Sequence, residues 1–262
     1  MHTSTLTLPA RETKPRANGL TMMIDGGLPT AYFTDVVGSF AELIDVVKFG
    51  WGTSLVSPEV KYKIDAVTEA GIDFYFGGTL FEKFVSQDRF EDYLRLCERF
   101  GCRCIEVSNG TIALPNDRKA AYVARLAGEF RVFSEVGYKE PTRSETMRPQ
   151  LWIDYIRQDL AAGAYRVITE ARESGRSGIC RPTGELRVGL IEEIAASGLD
   201  LGRVMFEAPN RDLQIHLIRR FGPDVSLGNI APSDLASLET LRLGLRGDTF
   251  DAFDDLPELR DA

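Results

Sequence analysis

The sequence predicts a single-domain (β/α)₈ barrel, the TIM-barrel fold of the α/β class, and three observations lead to this prediction. Short apolar runs occur eight times, and each is followed by a turn and a stretch with helical spacing of its apolar residues. The chain has 262 residues, close to the roughly 250 that eight strand–helix units occupy. An open doubly wound sheet is the alternative, but its glycine-rich turn is missing, because DGGLPT rather than GxGxxG follows the first run.

The eight runs are predicted to be buried parallel strands because they are rich in Val, Ile and aromatic residues and contain no proline. Alternation with helices places such strands side by side in one parallel sheet. In chain order the runs cover residues 20–25, 45–50, 73–78, 103–108, 131–136, 165–170, 203–208 and 225–230.

The stretches between the runs are predicted helices because their apolar residues recur at steps of three and four, as in Phe90, Tyr93 and Cys97. Eight helices are expected, one after each strand. Three of these stretches are preceded by residues of the type that caps helices, namely Ser57, Asn116 and Ser233.

The chain is predicted to have three parts. The barrel occupies residues 19–250, a flexible N-terminal arm precedes it at residues 1–18, and an acidic tail follows at residues 251–262. No second domain, low-complexity segment or short repeat interrupts the strand–helix pattern.

The charge balance and the composition exclude several classes of function. The chain has 31 basic and 39 acidic residues and a formal net charge of −8, so neither nucleic acid nor a membrane surface is expected as a partner. No apolar run approaches the ~20 residues that cross a bilayer, and the first residues lack the apolar core of a signal peptide. The four cysteines are too few for a disulfide framework and lack zinc-ligand spacing. We expect a cytoplasmic protein that acts on small molecules. The sequence leaves open whether the chain forms a homo-oligomer.

Charged residues lie at or near the C-terminal end of nearly every predicted strand, where (β/α)₈ barrels carry their chemistry. Carboxylates that converge there repel one another unless a cation compensates them, and oxygen ligands favour Mg²⁺ over zinc. Any single acid could instead cap a helix or pair with a neighbouring Arg or Lys, but the set as a whole is predicted to be functional. The charged residues are Asp25, Lys48, Glu106, Glu135, Lys139, Glu170 and Glu207.

Glycine-rich turns after several predicted strands are candidate anion sites, because glycine lets the backbone approach a ligand. Arg172 and Ser174, beside Gly175, add a charge and a hydroxyl group that suit an anion. Gly78 and Asn229 belong to similar turns. The two histidines lie outside the predicted strand ends, so no Ser-His-Asp or Cys-His arrangement is expected.

The predicted strands and their loops carry a set of unusual strings, in order along nearly the whole chain. They read DVVKFGWGTS, FGGTLFE, CIEVSNGTI, VFSEVGYK, ITEARESG, VMFEAPN and LETLRLGLRGDTF. Taken together, these strings resemble the phosphosulfolactate synthase family. The resemblance implies a (β/α)₈-barrel lyase that adds sulfite to phosphoenolpyruvate with the help of Mg²⁺. The implied product is (2R)-2-O-phospho-3-sulfolactate, an intermediate of coenzyme M biosynthesis.

This reaction suggests a role for each residue of the predicted site. Negative charge builds up on the substrate carboxylate when sulfite attacks C3, and a metal held by carboxylates would stabilise it. The expected metal ligands are Glu106, Glu135, Glu170 and Glu207. The expected catalytic residues are Lys48, Lys139, Glu135 and Asp25, with a lysine as the acid that protonates C2. The expected substrate-binding and phosphate-binding residues are Arg172, Ser174, Gly175, Gly78 and Asn229.

Two positions depart from the usual pattern of the family. Gly26 stands where the family usually has the lysine of DKG, and Tyr138 stands where it usually has the first lysine of EVGKK. One alternative is therefore a related enzyme that adds a different nucleophile to phosphoenolpyruvate or to another enol phosphate. A second alternative is a non-catalytic member of the family, which would keep the fold without the chemistry.

Overall fold

Eight parallel strands form one sheet in the computed structural model, which describes residues 6–253. Each strand lies within one of the predicted runs, so the eight-strand prediction is confirmed. The strands are β1 Thr21–Asp25, β2 Val46–Phe49, β3 Asp73–Phe76, β4 Cys104–Val107, β5 Arg131–Val136, β6 Arg166–Thr169, β7 Val204–Glu207 and β8 Ser226–Ile230.

The sheet curls into a nearly closed barrel, which confirms the predicted fold class. Hydrogen bonds join the strands in the order β3-β2-β1-β8-β7-β6-β5-β4. The two ends of this order, β3 and β4, lie side by side. Gly78 follows β3 at this seam, where a Cβ atom would lie 2.7 Å from Glu106 Oε1 of β4. Only glycine therefore allows the chain that leaves β3 to pass so close to β4.

Helices cover the outside of the barrel. Within residues 6–253 the structure has three more α-helices than the eight predicted, because α2, α4 and α7 lie in the loops that follow β2, β3 and β5. The helices are α1 Thr30–Phe40, α2 Thr53–Val56, α3 Val60–Glu69, α4 Gly78–Val85, α5 Phe90–Arg99, α6 Asn116–Leu126, α7 Pro141–Thr146, α8 Pro149–Ala161, α9 Val188–Ala196, α10 Arg211–Phe221 and α11 Leu235–Arg242.

The predicted helix caps at Ser57, Asn116 and Ser233 are wrong. The helices α3, α6 and α11 begin without a side-chain capping hydrogen bond. Asn116 is instead the first residue of α6, and its amide donates hydrogen bonds to Gln158 and Asp159 of α8. The Asn116 side chain therefore connects α6 to α8 instead of capping α6.

One layer of apolar side chains fills the barrel near the N-terminal ends of the strands. Successive side chains of a strand point to opposite faces, so the next inward position lies two residues further along the chain. In five strands the inward position that follows the apolar layer holds a charged residue. These charged side chains therefore lie at the C-terminal end of the barrel. The apolar layer includes Met22, Val46, Tyr75, Cys104, Phe133, Ile168 and Met205, and the charged positions that follow are Lys48, Glu106, Glu135, Glu170 and Glu207.

Residues 6–18, within the predicted N-terminal arm, lie against the N-terminal end of the barrel. Arg11 pairs with Asp224 at 2.5 Å, and the buried Arg16 pairs with Asp45 at 3.1 Å. These ion pairs attach the segment to the turns that precede β8 and β2.

The division into arm, barrel and tail stays a prediction. Residues 254–262 of the predicted acidic tail lie outside the described residues. No helix in the described part of the chain is long and apolar enough to cross a bilayer.

A buried ion pair supports β5 from outside the barrel. Lys119 Nζ of α6 lies 2.7 Å from Asp159 Oδ2 of α8, and both side chains are fully buried. Lys119 Nζ also donates to the backbone oxygen of Glu135, and Ser134 Oγ donates to Asp159. The backbone that carries Glu135 is therefore fixed by charges that lie behind the sheet.

Replacement of Lys119 by Met should lower the free energy of unfolding by about 3–5 kcal/mol, because the buried Asp159 charge loses its partner. Urea unfolding followed by circular dichroism measures this loss. The matched control is Lys61→Met, since Lys61 forms an exposed pair with Asp65 and such pairs contribute about 0–1 kcal/mol. Equal losses of stability in the two variants would contradict the structural role of Lys119.

Candidate active site

A cavity of about 470 Å³ opens at the C-terminal end of the barrel, where the sequence predicts the chemistry. The loops after β2 to β6 supply most of its walls. The structure thereby brings together most of the residues that the sequence analysis selected. The predicted site residues that line the cavity are Lys48, Gly78, Glu106, Glu135, Lys139, Glu170, Arg172, Glu207 and Asn229.

Three predicted site residues are not brought to this cavity. Asp25 accepts hydrogen bonds from two main-chain N–H groups of its own turn and pairs with Lys63 at 2.7 Å. It fixes the turn after β1. Ser174 is exposed and Gly175 is buried, and neither is among the described residues that line the cavity.

Six charged side chains form the floor of the cavity, and we call them the glutamate–lysine cluster. They project from the inward positions of β2 and β4 to β7 and from the loop after β5. All are buried except Lys139, whose side chain is 17% exposed. The cluster consists of Lys48, Lys139, Glu106, Glu135, Glu170 and Glu207.

Lys48 lies at the centre of this cluster. Its Nζ is 3.2 Å from Glu106 Oε2, 3.3 Å from Glu207 Oε1 and 3.6 Å from Glu135 Oε2. Burial alone would lower the pKa of Lys48, but the three carboxylates outweigh it and hold the pKa well above its usual value. The three carboxylates therefore stabilise the charged form of Lys48.

Lys139 links the carboxyl groups of Glu135, which lies in β5, and Glu170, which follows β6. Its Nζ pairs with Glu135 and, at 2.6 Å, with Glu170 Oε2. Burial lowers the pKa of Lys139, but Glu135 and Glu170 outweigh this effect and raise the pKa well above its usual value. The main-chain N–H of Arg172 donates a hydrogen bond to Glu170 Oε1 at 2.7 Å. The Glu170 carboxyl group is thus held at both oxygens, because Oε2 contacts Lys139.

The carboxyl groups of the cluster differ in their affinity for protons. Burial raises the pKa of Glu106, and Lys48 offsets only part of this effect, so that the pKa is about 7. Burial and the charge of Glu135 raise the pKa of Glu170 well above its usual value. Burial also acts on Glu135, but Lys139 and Lys48 outweigh it and lower the pKa. Burial and like charges therefore give Glu106 and Glu170 a higher affinity for protons than Glu135 has.

The cluster has the oxygen donors and the charge that suit Mg²⁺. If all six groups are ionised, four carboxylates and two ammonium groups leave a net charge of −2, which a divalent cation would neutralise. Both Glu106 oxygens and Asn229 Oδ1 are buried without a hydrogen-bond partner, although Glu106 also forms the ion pair with Lys48. Within residues 6–253, no three or more His, Cys, Asp or Glu side chains are arranged to hold an ion by themselves. Mg²⁺ commonly binds one or two carboxylates together with water and substrate oxygens, and the residues fit an ion held in that way.

Arg143 lines the cavity beside Arg172, and the sequence analysis missed it. It lies in α7, where the Glu140 side chain caps the N-terminus, and its guanidinium group lies 3.6 Å from the ring centroid of Tyr138. Tyr138 is not among the described residues that line the cavity, so it supports a cation by a cation–π contact. Pro141 indicates the start of a helix, but no local pattern shows that this helix folds over the mouth.

Trp51 forms an aromatic wall of the mouth and was also missed. It lines the cavity, is 38% exposed and has a φ of +52°. A Cβ atom on Gly26 would lie 3.4 Å from the Trp51 ring. The indole ring is therefore next to one of the two positions that depart from the family pattern.

The carboxyl group of Glu106 should titrate at about pH 7 in the metal-free protein, instead of near its ordinary pKa of 4.5. Carbon-13 NMR of labelled glutamate measures this, and Glu106→Gln identifies the signal. The native state keeps this proton while the unfolded chain releases it, so the unfolding free energy should fall as the pH rises between these two values.

A matched pair of lysine variants tests the cause of this shift. Lys48→Met should raise the Glu106 pKa further, because the ammonium group favours the ionised carboxylate. Lys61→Met, which removes an exposed charge, should leave it unchanged. A Glu106 midpoint near the ordinary value in the unmodified protein would contradict this account of the cluster.

The chain is similar to known proteins over nearly its whole length. The family model described as (2R)-phospho-3-sulfolactate synthase (ComA) matches residues 9–248. A phosphosulfolactate synthase of Bacillus subtilis (strain 168) is 48% identical over 250 residues, which cover 95% of this chain and 99% of the relative. A phosphosulfolactate synthase of Methanothermobacter thermautotrophicus is 39% identical over 245 residues, which cover 92% of this chain and 95% of the relative. Among solved structures, a 3-hexulose-6-phosphate synthase superposes with a TM-score of 0.55 at 12% identity, covers 85% of this chain and 99% of its own, and supports the fold alone.

Proposed function

The chain belongs to the phosphosulfolactate synthase family and is a lyase that forms a carbon–sulfur bond, and we propose that it adds sulfite to phosphoenolpyruvate. The proposed product is (2R)-2-O-phospho-3-sulfolactate, and the proposed cofactor is Mg²⁺. The observation that carries the proposal is the glutamate–lysine cluster. It sets two protonated lysines beside four carboxyl groups in a buried cavity rimmed by two arginines.

The cations of the cavity suit two anionic reactants. Arg143 and Arg172 lie at the rim, where their planar guanidinium groups suit the phosphate of phosphoenolpyruvate. Lys48 and Lys139 lie deeper, and their raised pKa values keep them charged at physiological pH. They would attract the substrate carboxylate and sulfite, and the fixed carboxylates around them prevent the ammonium groups from moving away.

Glu106 and Asn229 are the residues that would hold Mg²⁺, because their buried side-chain oxygens lack hydrogen-bond partners. When bound, the ion supplies positive charge that stabilises the negative charge developing on the substrate carboxylate. The other three predicted ligands, Glu135, Glu170 and Glu207, hold the two lysines in position.

The proposed reaction is an addition in which no group leaves. A lone pair on the sulfur of sulfite forms the bond to C3, and the π electrons of the C2–C3 double bond move to C2 and the adjacent carboxylate. One proton then reaches C2. We assign its delivery to Lys139 Nζ, because this ammonium group is held by Glu135 and Glu170 and still reaches the cavity. Lys48 is more deeply enclosed and acts as a fixed positive charge.

A related enzyme that uses a different nucleophile is the second candidate. Gly26 favours it, because this position next to the Trp51 ring carries no charge where the family usually has a lysine. Tyr138 gives no such support, since it holds Arg143 in place. The non-catalytic alternative is not retained, because the chain is an enzyme of this family. Coenzyme M biosynthesis, a cytoplasmic location and the oligomeric state stay predictions.

Purified protein incubated with Mg²⁺, phosphoenolpyruvate and sulfite should give a new phosphoester signal in ³¹P NMR, and omission of sulfite should abolish it. Parallel reactions with thiol and amine nucleophiles test the second candidate. A new signal with one of these but none with sulfite would overturn the leading proposal and favour a different nucleophile.

Lys139→Met, Lys48→Ala and Glu135→Gln should each lower kcat at least ~100-fold, because a positioned acid and its supporting charges contribute that much or more. Lys83→Met is the matched control, since Lys83 is an exposed lysine of α4 and should keep the unmodified rate. Circular dichroism confirms that each variant folds. An unchanged kcat in Lys139→Met would remove that residue from the mechanism.

A further inference from the structure

A second cavity, which we call the basic cavity, opens at the opposite end of the barrel and has a volume of about 480 Å³. This volume is within the range of small-molecule sites, about 300–1,000 Å³. Its charged lining comes from the turns at which β5, β6 and β7 begin, so the proposed reaction does not use it. The charged residues are Arg131, Arg166, Arg203 and Asp200.

Arg166 is the central feature of the basic cavity. The residue is 4% exposed, and one guanidinium nitrogen donates to the backbone oxygen of Ala17. Its Nε is buried without a hydrogen-bond partner. Its guanidinium group lies 5.0 Å from the ring centroid of Tyr165, and no acidic side chain of residues 6–253 pairs with it. A buried positive charge is thus left without a negative partner.

The neighbouring groups do not supply that missing charge. Arg131 is paired with Asp73, and Arg203 donates to the backbone oxygen of Ala164 without an acidic partner in the described chain. Asp200 is exposed, and its carboxylate accepts a hydrogen bond from the main-chain N–H of its own turn at 3.0 Å. Two of the three arginines therefore remain uncompensated.

An uncompensated buried guanidinium group is costly unless a counter-charge accompanies it. The planar donors of arginine match phosphate and sulfonate oxygens, and such pairs are strong when water is excluded. We propose that the basic cavity is an anion-binding site for the phosphate or sulfonate group of a small molecule, with Arg166 and Arg203 as its ligands. The site is separate from the active site and does not depend on the proposed reaction.

Titration of the full-length protein with inorganic phosphate by calorimetry tests this proposal. Arg166→Gln and Arg203→Gln should each weaken phosphate binding at least about 10-fold, since each removes a charged hydrogen-bond donor. Lys139→Met alters the active site and should leave this binding in place. The matched control is Arg220→Gln, because Arg220 is an exposed residue paired with Glu192 on the surface.

Circular dichroism shows whether each variant folds. If Arg166→Gln does not fold, Arg203→Gln tests the proposal alone, because Arg203 is only half-buried. Phosphate binding that is equal in the unmodified protein and in the folded arginine variants would overturn the proposal. Loss of phosphate binding in Lys139→Met but not in the arginine variants would also overturn it. The same holds if the unmodified protein binds no phosphate at millimolar concentration. Parallel titration with sulfate and a short alkyl sulfonate distinguishes the two anion classes. The turnover of Arg203→Gln should match that of the unmodified protein, which separates this site from the function proposed above.

Discussion

The attraction between two lysines and four buried glutamates is the interaction on which the site depends. Four carboxylates could not share the inside of a barrel without cations, because burial penalises each charge and the charges repel one another. Lys48 and Lys139 offset half of that negative charge. The remainder must be balanced by protons or by a divalent cation, which connects the electrostatics of the cavity to its proposed use of Mg²⁺.

The outer layer of the barrel supports the same arrangement. Lys119 and Asp159 form a buried pair between α6 and α8, and Lys119 also donates to the backbone oxygen of Glu135. Lys63 pairs with Asp25 behind β1 in a comparable way. These pairs fix the backbone of β5 and the turn after β1 from outside the barrel. The N-terminal end of the barrel carries different chemistry, because Arg166 there lacks a negative partner.

Much of the fold and of the site could be predicted from the sequence, because strand period and strand ends are local properties. Glu106 and Glu135 follow inward-facing apolar residues by two positions, and this parity carries them into the cavity. Asp25 also ends a strand, but Ile24 is the residue of β1 that lines the cavity, so Asp25 points outward. The parity of positions along each strand separates these cases.

Other features depend on contacts between distant segments. The position of Arg143 results from the path of α7 and from the Tyr138 ring beneath it, and neither is encoded in the spacing of residues along the chain. The order of proton affinities also needs the structure. Glu106 and Glu135 are alike in sequence context, yet their pKa values move in opposite directions. Lys48 pairs with both carboxyl groups, whereas Lys139 pairs with Glu135 and forms no ion pair with Glu106.

Calorimetric titration of the protein with MgCl₂ in saturating phosphoenolpyruvate tests the central claim most directly. Our account predicts that one ion binds per chain and that Glu106→Gln abolishes this binding while the exposed-site variant Glu91→Gln retains it. Equal Mg²⁺ affinity in the unmodified protein and in Glu106→Gln, or no binding to either, would contradict the proposal that Glu106 of the glutamate–lysine cluster holds Mg²⁺.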